Sequence, residues 1–220
     1  MRKSPISPKQ HLIIFTRYPE PGKTKTRLIP ALGDTGAAHL QKQMTEHTIS
    51  QVKKLQKTSA ITVEVRFAGG NGELMQNWLG RDLVYQNQGE GDLGQRLVQS
   101  LVDAFQSHAE RVIIIGTDCP SLDPHILASA FEKLQVCDLV LGPALDGGYY
   151  LIGLCRVIPE LFSQIAWGTS QVLKQTLEIA QALNLSSAYL PNLADIDRPE
   201  DLIIWEQILA GDNNPKNDMV

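Results

Sequence analysis

The sequence predicts an α/β fold in which helices flank a mostly parallel, doubly wound sheet. Along most of the 220 residues, short apolar segments alternate with segments of helical periodicity, and this alternation is typical of parallel sheets. The central apolar segment, 112–115, runs into Gly116, Thr117 and Asp118, and Pro120 prevents the strand from continuing. The length suits one sizeable α/β domain and is short for two.

The elements of the first half follow from local patterns. The apolar run 11–16 is the first strand, and Asp34 is placed to cap a long helix from about 35 to 55. Apolar residues recur in that helix at roughly helical spacing: Ala38, Met44, Ile49, Val52 and Leu55. Residues 61–67 alternate between apolar and polar side chains, which predicts a strand, and a short helix at 73–79 and a strand at 83–86 follow. Asp92 then opens an amphipathic helix with Leu93, Leu97, Leu101, Val102 and Phe105 on its apolar face.

The second half begins with the strand 112–115 and a helix from Pro124 to about 134. Strands are expected at 139–142 and 149–154, and their closeness, with glycines between them, suggests a local departure from strict alternation. A helix at 171–183, a short strand at 188–190 and a last helix at 199–209 complete the pattern. We therefore expect an N-terminal extension at 1–10, one domain at 11–210, and a disordered tail at 211–220.

Composition excludes several classes of protein. The net charge is −4 and the pI about 5.7, and basic residues form no broad stripe, which argues against nucleic-acid binding. No apolar segment approaches the ~20 residues that span a bilayer, and the basic N-terminus lacks the apolar region of a signal peptide. Three cysteines without a CxxC pattern indicate free thiols in a cytoplasmic protein; Cys119 adjoins the candidate site, either as a small buried side chain or as a nucleophile.

Asp118 is the strongest candidate for a functional residue. Ligands of open α/β sheets sit at the carboxyl ends of the strands, so Asp118 is placed to meet a metal or a phosphate. The alternative is that Asp118 caps the turn into the next helix. Ser121 and Asp123, just before Pro124, are better placed for capping, which favours the functional interpretation.

The loop after the first strand holds four cations, Arg17, Lys23, Lys25 and Arg27. Such a loop can neutralise a di- or triphosphate through charge-assisted hydrogen bonds, whereas the plainer interpretation is a solvated basic loop. A phosphate-binding P-loop is disfavoured, because Arg17 occupies the position of its first glycine and two prolines remove backbone donors.

Three further motifs have both structural and functional interpretations. Asp92 is either a helix N-cap or part of a nucleotide site that Arg96 would also face. Asp146, before two glycines, either belongs to a tight turn or accepts hydrogen bonds from a hydroxylated substrate. Trp167 precedes a helix and is either a core residue or a platform for an acceptor.

Asp195 and Asp197 lie two positions apart in an extended segment and therefore on the same side of the chain. Asp197 also resembles an N-cap, since Pro199 follows in the first turn of a helix. If the fold brings this segment to Asp118, the carboxylates form an oxygen-rich site suited to Mg²⁺ or Mn²⁺.

Five segments together resemble the GT-A-like family of small bacterial glycosyltransferases: FTRYPEPGKTKTRL, QGEGDLGQR, IGTDCPSLD, LGPALDGGYYLIGL and DIDRPEDL. These proteins are described as nucleotide-diphospho-sugar transferases linked to arsenosugar or radical-SAM gene clusters. They are similar, more distantly, to the molybdenum-cofactor and phospholactate guanylyltransferases. The resemblance covers about residues 11–209 and implies a single-domain, Rossmann-like GT-A fold.

The resemblance also implies residue roles. Asp118 would bind the metal, with Gly116 where a second aspartate is expected, so Asp195 or Asp197 would supply the second metal ligand. Lys25 and Arg27 would contact the nucleotide, and the residue patterns described above add Arg17, Lys23, Asp92, Arg96 and Thr117 to the nucleotide-binding candidates. Asp146, Gly147, Gly148 and Tyr149 match the motif on the acceptor side, and Trp167 is added from its own pattern as a candidate acceptor platform.

The sequence thus leads to one main functional hypothesis, a Mg²⁺- or Mn²⁺-dependent glycosyltransferase that moves a sugar from a nucleotide-diphosphate sugar to a hydroxylated acceptor. Lys25 and Arg27 would stabilise the leaving nucleotide, and Asp146 would orient or deprotonate the acceptor hydroxyl. The alternatives are a nucleotidyltransferase that makes a nucleotide-sugar or nucleotide cofactor, and a nucleotide-binding subunit without turnover.

Overall fold

A computed structural model describes residues 10–212 of the chain. The expected extension, except for Gln10, and the expected tail beyond Asp212 lie outside the described residues. Gln10 is the first residue of a strand, and the last helix ends at Asp212. Within this range no helix combines the length and the apolar character needed to cross a membrane.

Within residues 10–212 the centre of the fold is a seven-stranded sheet in the order β3-β2-β1-β4-β6-β5-β7. Its strands are β1 Gln10–Arg17, β2 Ile61–Ala68, β3 Val84–Asn87, β4 Arg111–Ile115, β5 Leu139–Pro143, β6 Tyr149–Leu154 and β7 Ser187–Tyr189. All neighbours are parallel except β6, which is antiparallel to both β4 and β5. The mostly parallel sheet is confirmed, and the β5–β6 hairpin is the departure that the close spacing of these strands indicated.

The helices are α1 Ile29–Gln56, α2 Gly72–Leu79, α3 Leu93–Gln106, α4 Pro124–Lys133, α5 Val172–Ala182 and α6 Leu202–Asp212. The start of α1 differs from the expected position near residue 35 because a first helical turn begins at Ile29. Gly33 interrupts the helix with φ 68° and ψ 169°, so the continuous part begins next to Asp34, as expected. The start of the last helix also differs: Pro199–Asp201 form a 3-10 turn before α6.

Alternating residues of the strands supply two hydrophobic cores, one on each face of the sheet. In β4, Ile113 and Ile115 pack on one face with residues of α1, α2 and α4, while Val112 and Ile114 pack on the other with residues of α3 and α5. Helices therefore cover both faces, as in a doubly wound sheet.

A third apolar cluster joins α6 to α1. Leu28, Leu40 and Met44 pack against Ile196 and Trp205. Ile196 is fully buried, whereas Asp195 and Asp197 on either side of it are only partly buried. The cluster thereby holds the 195–197 segment beside the carboxyl ends of β1 and β4.

Candidate active site

A cavity of about 660 Å³ opens at the carboxyl ends of the central parallel strands. Its charged lining consists of five basic residues and two acidic ones: Arg17, Lys23, Lys25, Arg27, Arg96, Asp118 and Asp197. We call this space the cationic cavity. Six of the seven residues predicted to bind a nucleotide line it, because the parallel strands β1, β2, β3 and β4 all end at this edge.

Lys25 and Asp118 form the central ion pair of the cavity. The Lys25 Nζ lies 2.6 Å from Asp118 Oδ1 and also donates to the carbonyl of Ile196. The Lys25 side chain is 3% exposed, whereas the Asp118 side chain is 55% exposed. The ammonium therefore ties the loop after β1 to the loop after β4 and to the 195–197 segment.

The backbone of Lys25 adopts the left-handed conformation, with φ 49° and ψ 44°. This conformation is uncommon for residues with a Cβ and costs about 1 kcal/mol or more. It directly precedes the 3-10 turn Thr26–Leu28, whose Leu28 is buried in the third cluster. Strain of this kind persists where the surroundings determine the conformation, often at functional sites.

Arg27 and Asp197 form a second ion pair at the mouth of the cavity, with Arg27 largely exposed. The hydrogen bond to Asp197, together with the charge of that carboxylate, raises the pKa of Arg27, so the guanidinium is cationic at any working pH. The Ile196 N–H donates to the Asp118 carbonyl at 2.9 Å, which anchors this segment to the loop after β4. The structure therefore brings Asp118 and the 195–197 segment together, as the sequence-based hypothesis requires.

The floor of the cavity is a buried polar layer that the sequence analysis missed. Gln41 Nε2 donates to the hydroxyls of Thr45 at 3.1 Å and Thr117 at 3.2 Å, and Thr16 Oγ1 lies 2.9 Å from Thr45 Oγ1. The sequence contained a signal for this layer, because the polar residues Gln41 and Thr45 occupy α1 positions on the same apolar face as Ala38 and Met44. Polar side chains on an apolar helix face indicate hydrogen-bond partners on the element packed against that face.

A second missed residue is Gln88, which follows β3. Its side chain is buried, and its Oε1 accepts a hydrogen bond from Arg96 Nη1 at 2.8 Å. Arg96 lines the cationic cavity, as predicted. Asp92 does not line it: this carboxylate caps α3 by accepting from the Gln95 N–H at 2.8 Å, the structural role that the sequence also allowed.

A second cleft of about 490 Å³ adjoins the cationic cavity and shares Arg27 and Asp197 with it. Its charged lining is mainly acidic: Asp146, Asp195, Asp197, Asp201, Arg27 and Arg198. The residues Thr169 and Ser170 add hydroxyls, and Leu145 and Ile204 add apolar surface. We call this space the acidic cleft.

The carboxylates around the acidic cleft influence one another and a nearby thiol. Burial, followed by the charge of Asp146, raises the pKa of Asp195, and Asp118 adds a smaller effect in the same direction. Burial, with Asp118 as the next cause, also raises the pKa of Cys119 far above its usual range. Cys119 is therefore a buried neutral thiol, the first of its two sequence-based interpretations.

The residues predicted on the acceptor side have different positions. Asp146 lines the acidic cleft, and its Oδ1 accepts from the Gly148 N–H at 2.8 Å within the β5–β6 turn. Gly147, with φ 91°, lies so close to Ser170 that a Cβ would be 2.4 Å from the Ser170 carbonyl oxygen. The turn therefore requires glycine at this position, and it also fixes Ser170 at the cleft.

Tyr149 and Trp167 pack together, with ring centroids 6.4 Å apart. Tyr149 also lines the cationic cavity, but Trp167 belongs to the hydrophobic core beside α3, where Gly94 gives it room. Trp167 thus has the core position that the sequence left open, and it borders neither the cationic cavity nor the acidic cleft.

Among residues 10–212, no group of three or more His, Cys, Asp or Glu side chains is arranged to hold a metal ion. Of the predicted ligands, Asp118 pairs with Lys25 and Asp197 with Arg27, while Asp195 lies in the acidic cleft. Mg²⁺ usually takes one or two carboxylates and completes its shell with substrate phosphates and water. These hard oxygen donors therefore fit a divalent cation that arrives on a nucleotide, not a metal held by side chains alone.

Comparison with known proteins relates this chain to one family and to several solved structures. A family model described as "Uncharacterized protein conserved in bacteria (DUF2064)" matches residues 51–169. No curated protein matches the chain. The crystal structure of a protein from Desulfovibrio desulfuricans G20, provisionally described as a nucleotide-diphospho-sugar transferase, aligns with a TM-score of 0.86 and 29% identity. The alignment covers 95% of this chain and 90% of the other.

Two more distant structures share the fold. CMP:2-keto-3-deoxy-manno-octonic acid synthetase in complex with CTP aligns with a TM-score of 0.57 and 12% identity, over 92% of this chain and 99% of the other. The manganese complex of Rv0371C from Mycobacterium tuberculosis H37Rv aligns with a TM-score of 0.52 and 12% identity, over 91% and 97% of the two chains. The chain therefore has the fold of nucleotide-diphospho-sugar transferases, which nucleotidyltransferases share.

Proposed function

This chain belongs to the DUF2064 family, and from that premise we propose that it transfers a sugar from a nucleotide-diphosphate sugar to a hydroxylated acceptor. The observation that carries the proposal is a pair of adjoining spaces with opposite charge. The cationic cavity suits the diphosphate of the donor, and the acidic cleft suits uncharged hydroxylated groups. Arg27 and Asp197 lie at the boundary, where the bond to the sugar would break.

The charge of the acidic cleft favours glycosyl transfer over nucleotidyl transfer. A nucleotidyltransferase that makes a nucleotide-diphosphate sugar joins its nucleotide to a sugar phosphate, an anion that has to bind beside the triphosphate. Four carboxylates and two arginines line the acidic cleft, and Asp197 already pairs with Arg27. An anionic second substrate would be repelled there, whereas hydroxyl groups can donate hydrogen bonds to the carboxylates.

The basic residues would contribute chiefly to leaving-group stabilisation. Negative charge builds on the nucleoside diphosphate as the glycosidic bond breaks, and cations held in position stabilise that charge without reorganising. Lys25 is already desolvated and fixed by Asp118 and Ile196, while Arg27 and Arg96 lie at the mouth and the wall of the cavity. Arg17 and Lys23 would add longer-range attraction for the phosphates.

The acceptor would lie in the acidic cleft with its hydroxyl near Asp146 or Asp195. Either carboxylate can orient an acceptor hydroxyl or accept its proton when the two are at hydrogen-bond distance. Burial and the charge of Asp146 raise the pKa of Asp195, and a raised pKa makes a carboxylate a better base. Ser170, fixed by its close contact with Gly147, would help to orient the same acceptor.

A divalent cation is part of this proposal. Asp118, with Asp195 or Asp197 as a further carboxylate, would hold Mg²⁺ or Mn²⁺ on the diphosphate of the donor, and the manganese complex of a protein with this fold supports the choice of metal. When bound, the cation would supply positive charge that stabilises the departing diphosphate. Lys25 would then exchange its contact with Asp118 for a contact with a phosphate.

The test combines ligand-induced stabilisation with product analysis. Nucleoside mono-, di- and triphosphates and nucleotide sugars, each with and without Mn²⁺, are screened for thermal stabilisation, since a ligand at a hundred times its Kd contributes about 2.7 kcal/mol. The nucleotide sugar that stabilises most is then assayed for release of nucleoside diphosphate in the presence of candidate acceptors. We expect a Mn²⁺-dependent shift that Asp118→Ala abolishes.

The control variant is Asp82→Ala, because Asp82 is an exposed aspartate paired with Lys53, and neither residue lines the cavity. It should keep the shift. Pyrophosphate release from a triphosphate would establish the nucleotidyltransferase instead. Nucleotide binding without any product would indicate a binding subunit, and no shift with any nucleotide would refute all three functions.

A further inference from the structure

We propose that Gln88 is a positioning residue that fixes the guanidinium of Arg96 for contact with the diphosphate of the nucleotide. The proposal rests on the assignment of the cationic cavity to nucleotide phosphates. In this arrangement a neutral, buried side chain organises one of the phosphate contacts. Gln88 lines the cavity and is 7% exposed.

The side-chain amide of Gln88 is held by three partners. Its Nε2 donates to the Thr16 carbonyl at 2.9 Å and to the Arg66 carbonyl at 3.2 Å. Its Oε1 accepts from Arg96 Nη1 at 2.8 Å. Thr16 and Arg66 lie near the ends of β1 and β2, so the amide bridges two neighbouring strands of the sheet and an arginine of α3.

These partners determine which way the amide points. Both N–H groups of the amide face carbonyl oxygens and its oxygen faces a cation, so a flipped amide would lose all three bonds. The backbone of Gln88 is fixed as well, because its N–H donates to the Phe67 carbonyl at 2.9 Å. Gln88 is therefore a rigid acceptor attached to the sheet, and its direction does not depend on a bound substrate.

The consequence for Arg96 is a fixed guanidinium with donors left for a ligand. Its Nε donates to the Asp92 carbonyl at 3.2 Å and its Nη1 donates to Gln88. A guanidinium has five N–H donors in a planar fork, and two hydrogen bonds are enough to set the plane. An arginine held in this way loses less rotamer freedom when a phosphate binds, which improves affinity through preorganisation.

No anionic side chain takes part in this arrangement among the described contacts of Arg96. A carboxylate at position 88 would neutralise the charge of the guanidinium. It would also have no N–H to donate to the two carbonyl oxygens and would be repelled by them. Glutamine accepts from the arginine without cancelling its charge, so the full positive charge of Arg96 stays available to the phosphates. This explains why a buried neutral amide, and not an acid, stands beside the cation.

The experiment is a double-mutant cycle on nucleotide affinity. The probe is whichever of UDP, GDP, CDP, ADP and dTDP stabilises the wild-type protein most, and its monophosphate serves for comparison; both are titrated by calorimetry. The variants are Gln88→Met, Arg96→Met and the double substitution. Methionine keeps the length and volume of glutamine without its polar atoms, and Gln88→Asn, whose amide is one methylene shorter, is a second variant should the first not fold.

We expect Gln88→Met to weaken diphosphate binding about tenfold, equivalent to ~1.4 kcal/mol, and to weaken monophosphate binding much less. In the Arg96→Met background the same substitution should change the Kd less than twofold, because Gln88 acts through Arg96. The matched control is Gln99→Met, which removes an exposed glutamine from α3, the helix that carries Arg96, and should leave the Kd unchanged.

Two results overturn the inference while the proposed function stands. In the first, Gln88→Met leaves diphosphate affinity unchanged although Arg96→Met weakens it. In the second, the effects of the two substitutions add, or the monophosphate loses as much affinity as the diphosphate, which would indicate a general structural effect. Failure of the wild type to bind any of the five diphosphates would overturn both the inference and the proposed function.

Discussion

The ion pair between Lys25 and Asp118 should respond very differently to the loss of either partner. Asp118 is 55% exposed and Lys25 is 3% exposed, with 2.6 Å between Nζ and Oδ1. Asp118→Ala leaves a buried ammonium whose remaining contact is the Ile196 carbonyl. An uncompensated buried charge costs about 3–5 kcal/mol, so we expect a loss of about 3 kcal/mol in the free energy of unfolding.

Lys25→Met should cost less, although it removes the more buried residue. Methionine keeps much of the packing of the lysine stem, and the carboxylate that remains is half exposed and can be hydrated. The variant then loses one or two charge-assisted hydrogen bonds, each of which contributes about 1.5–3 kcal/mol when buried. Because Asp118 is half exposed, the loss in the free energy of unfolding should lie at or below the lower end of that range. The double substitution should resemble Lys25→Met alone, so the coupling energy should match the effect of Asp118→Ala, about 3 kcal/mol.

The pair Lys53–Asp82 is the matched control. Its Nζ–Oδ2 distance is 2.7 Å and Asp82 is 61% exposed, but Lys53 is 41% exposed. Both single substitutions there should cost less than about 1 kcal/mol. Urea unfolding followed by tryptophan fluorescence measures all of these variants, provided that a single transition is seen with each probe.

An Asp118→Ala variant at least as stable as Lys25→Met, or additive effects of the two substitutions, would contradict the burial of the Lys25 charge. Either result would mean that the Lys25 ammonium reaches water in solution. It would also remove the reason to regard Lys25 as a desolvated cation prepared for a phosphate.

Three further predictions concern other parts of the molecule. Arg66→Met should destabilise by about 3–5 kcal/mol, since it leaves the buried Glu64 without its guanidinium; a loss below 1 kcal/mol in urea unfolding would contradict this. Burial raises the pKa of Glu64, but His11 and Arg66 outweigh it and hold the pKa below its usual value. The stabilisation from Glu64 is therefore complete above its unfolded pKa of ~4.3 and is lost as the pH falls through the lower folded pKa. Urea midpoints measured from pH 6 downward should show this loss in the wild type and not in Glu64→Gln. Gly147→Ala should lower the free energy of unfolding by at least ~1–2 kcal/mol and raise the KM for the acceptor, because φ is 91° and the Cβ would clash with Ser170. Unchanged stability and an unchanged KM would show that the turn is not fixed.

Much of the fold follows from local patterns in the sequence. Short apolar runs, and alternation at 61–67, identified the strands; helical spacing identified α1 and α3, and the position of Pro124 marked the start of α4. These signals lie within about ten residues of one another, so they need no knowledge of the tertiary structure. The antiparallel β6 was indicated in the same way, by the short glycine-containing connection after β5.

The candidate site was predicted only as a set of residue types at one edge of the sheet. Asp118 and the basic loop could be placed there because parallel strands end together. The sequence could not decide between the two interpretations of Asp92 and Trp167, because a cap and a core residue have the same local pattern as a binding residue. The structure resolves both, with Asp92 bonded to the Gln95 N–H and Trp167 packed beside Gly94.

The sequence by itself thus determined the elements, their alternation and the edge at which polar residues collect, since each depends on short-range periodicity. Only the tertiary structure decided which charges meet. Arg27 pairs with Asp197 across 170 positions, and Gln88 bridges β1, β2 and Arg96. Ion pairs and buried amides depend on distances of a few ångströms between segments far apart in the chain. Those distances follow from the packing of Ile196 and Trp205 against α1 and from the order of the strands, neither of which a local pattern contains.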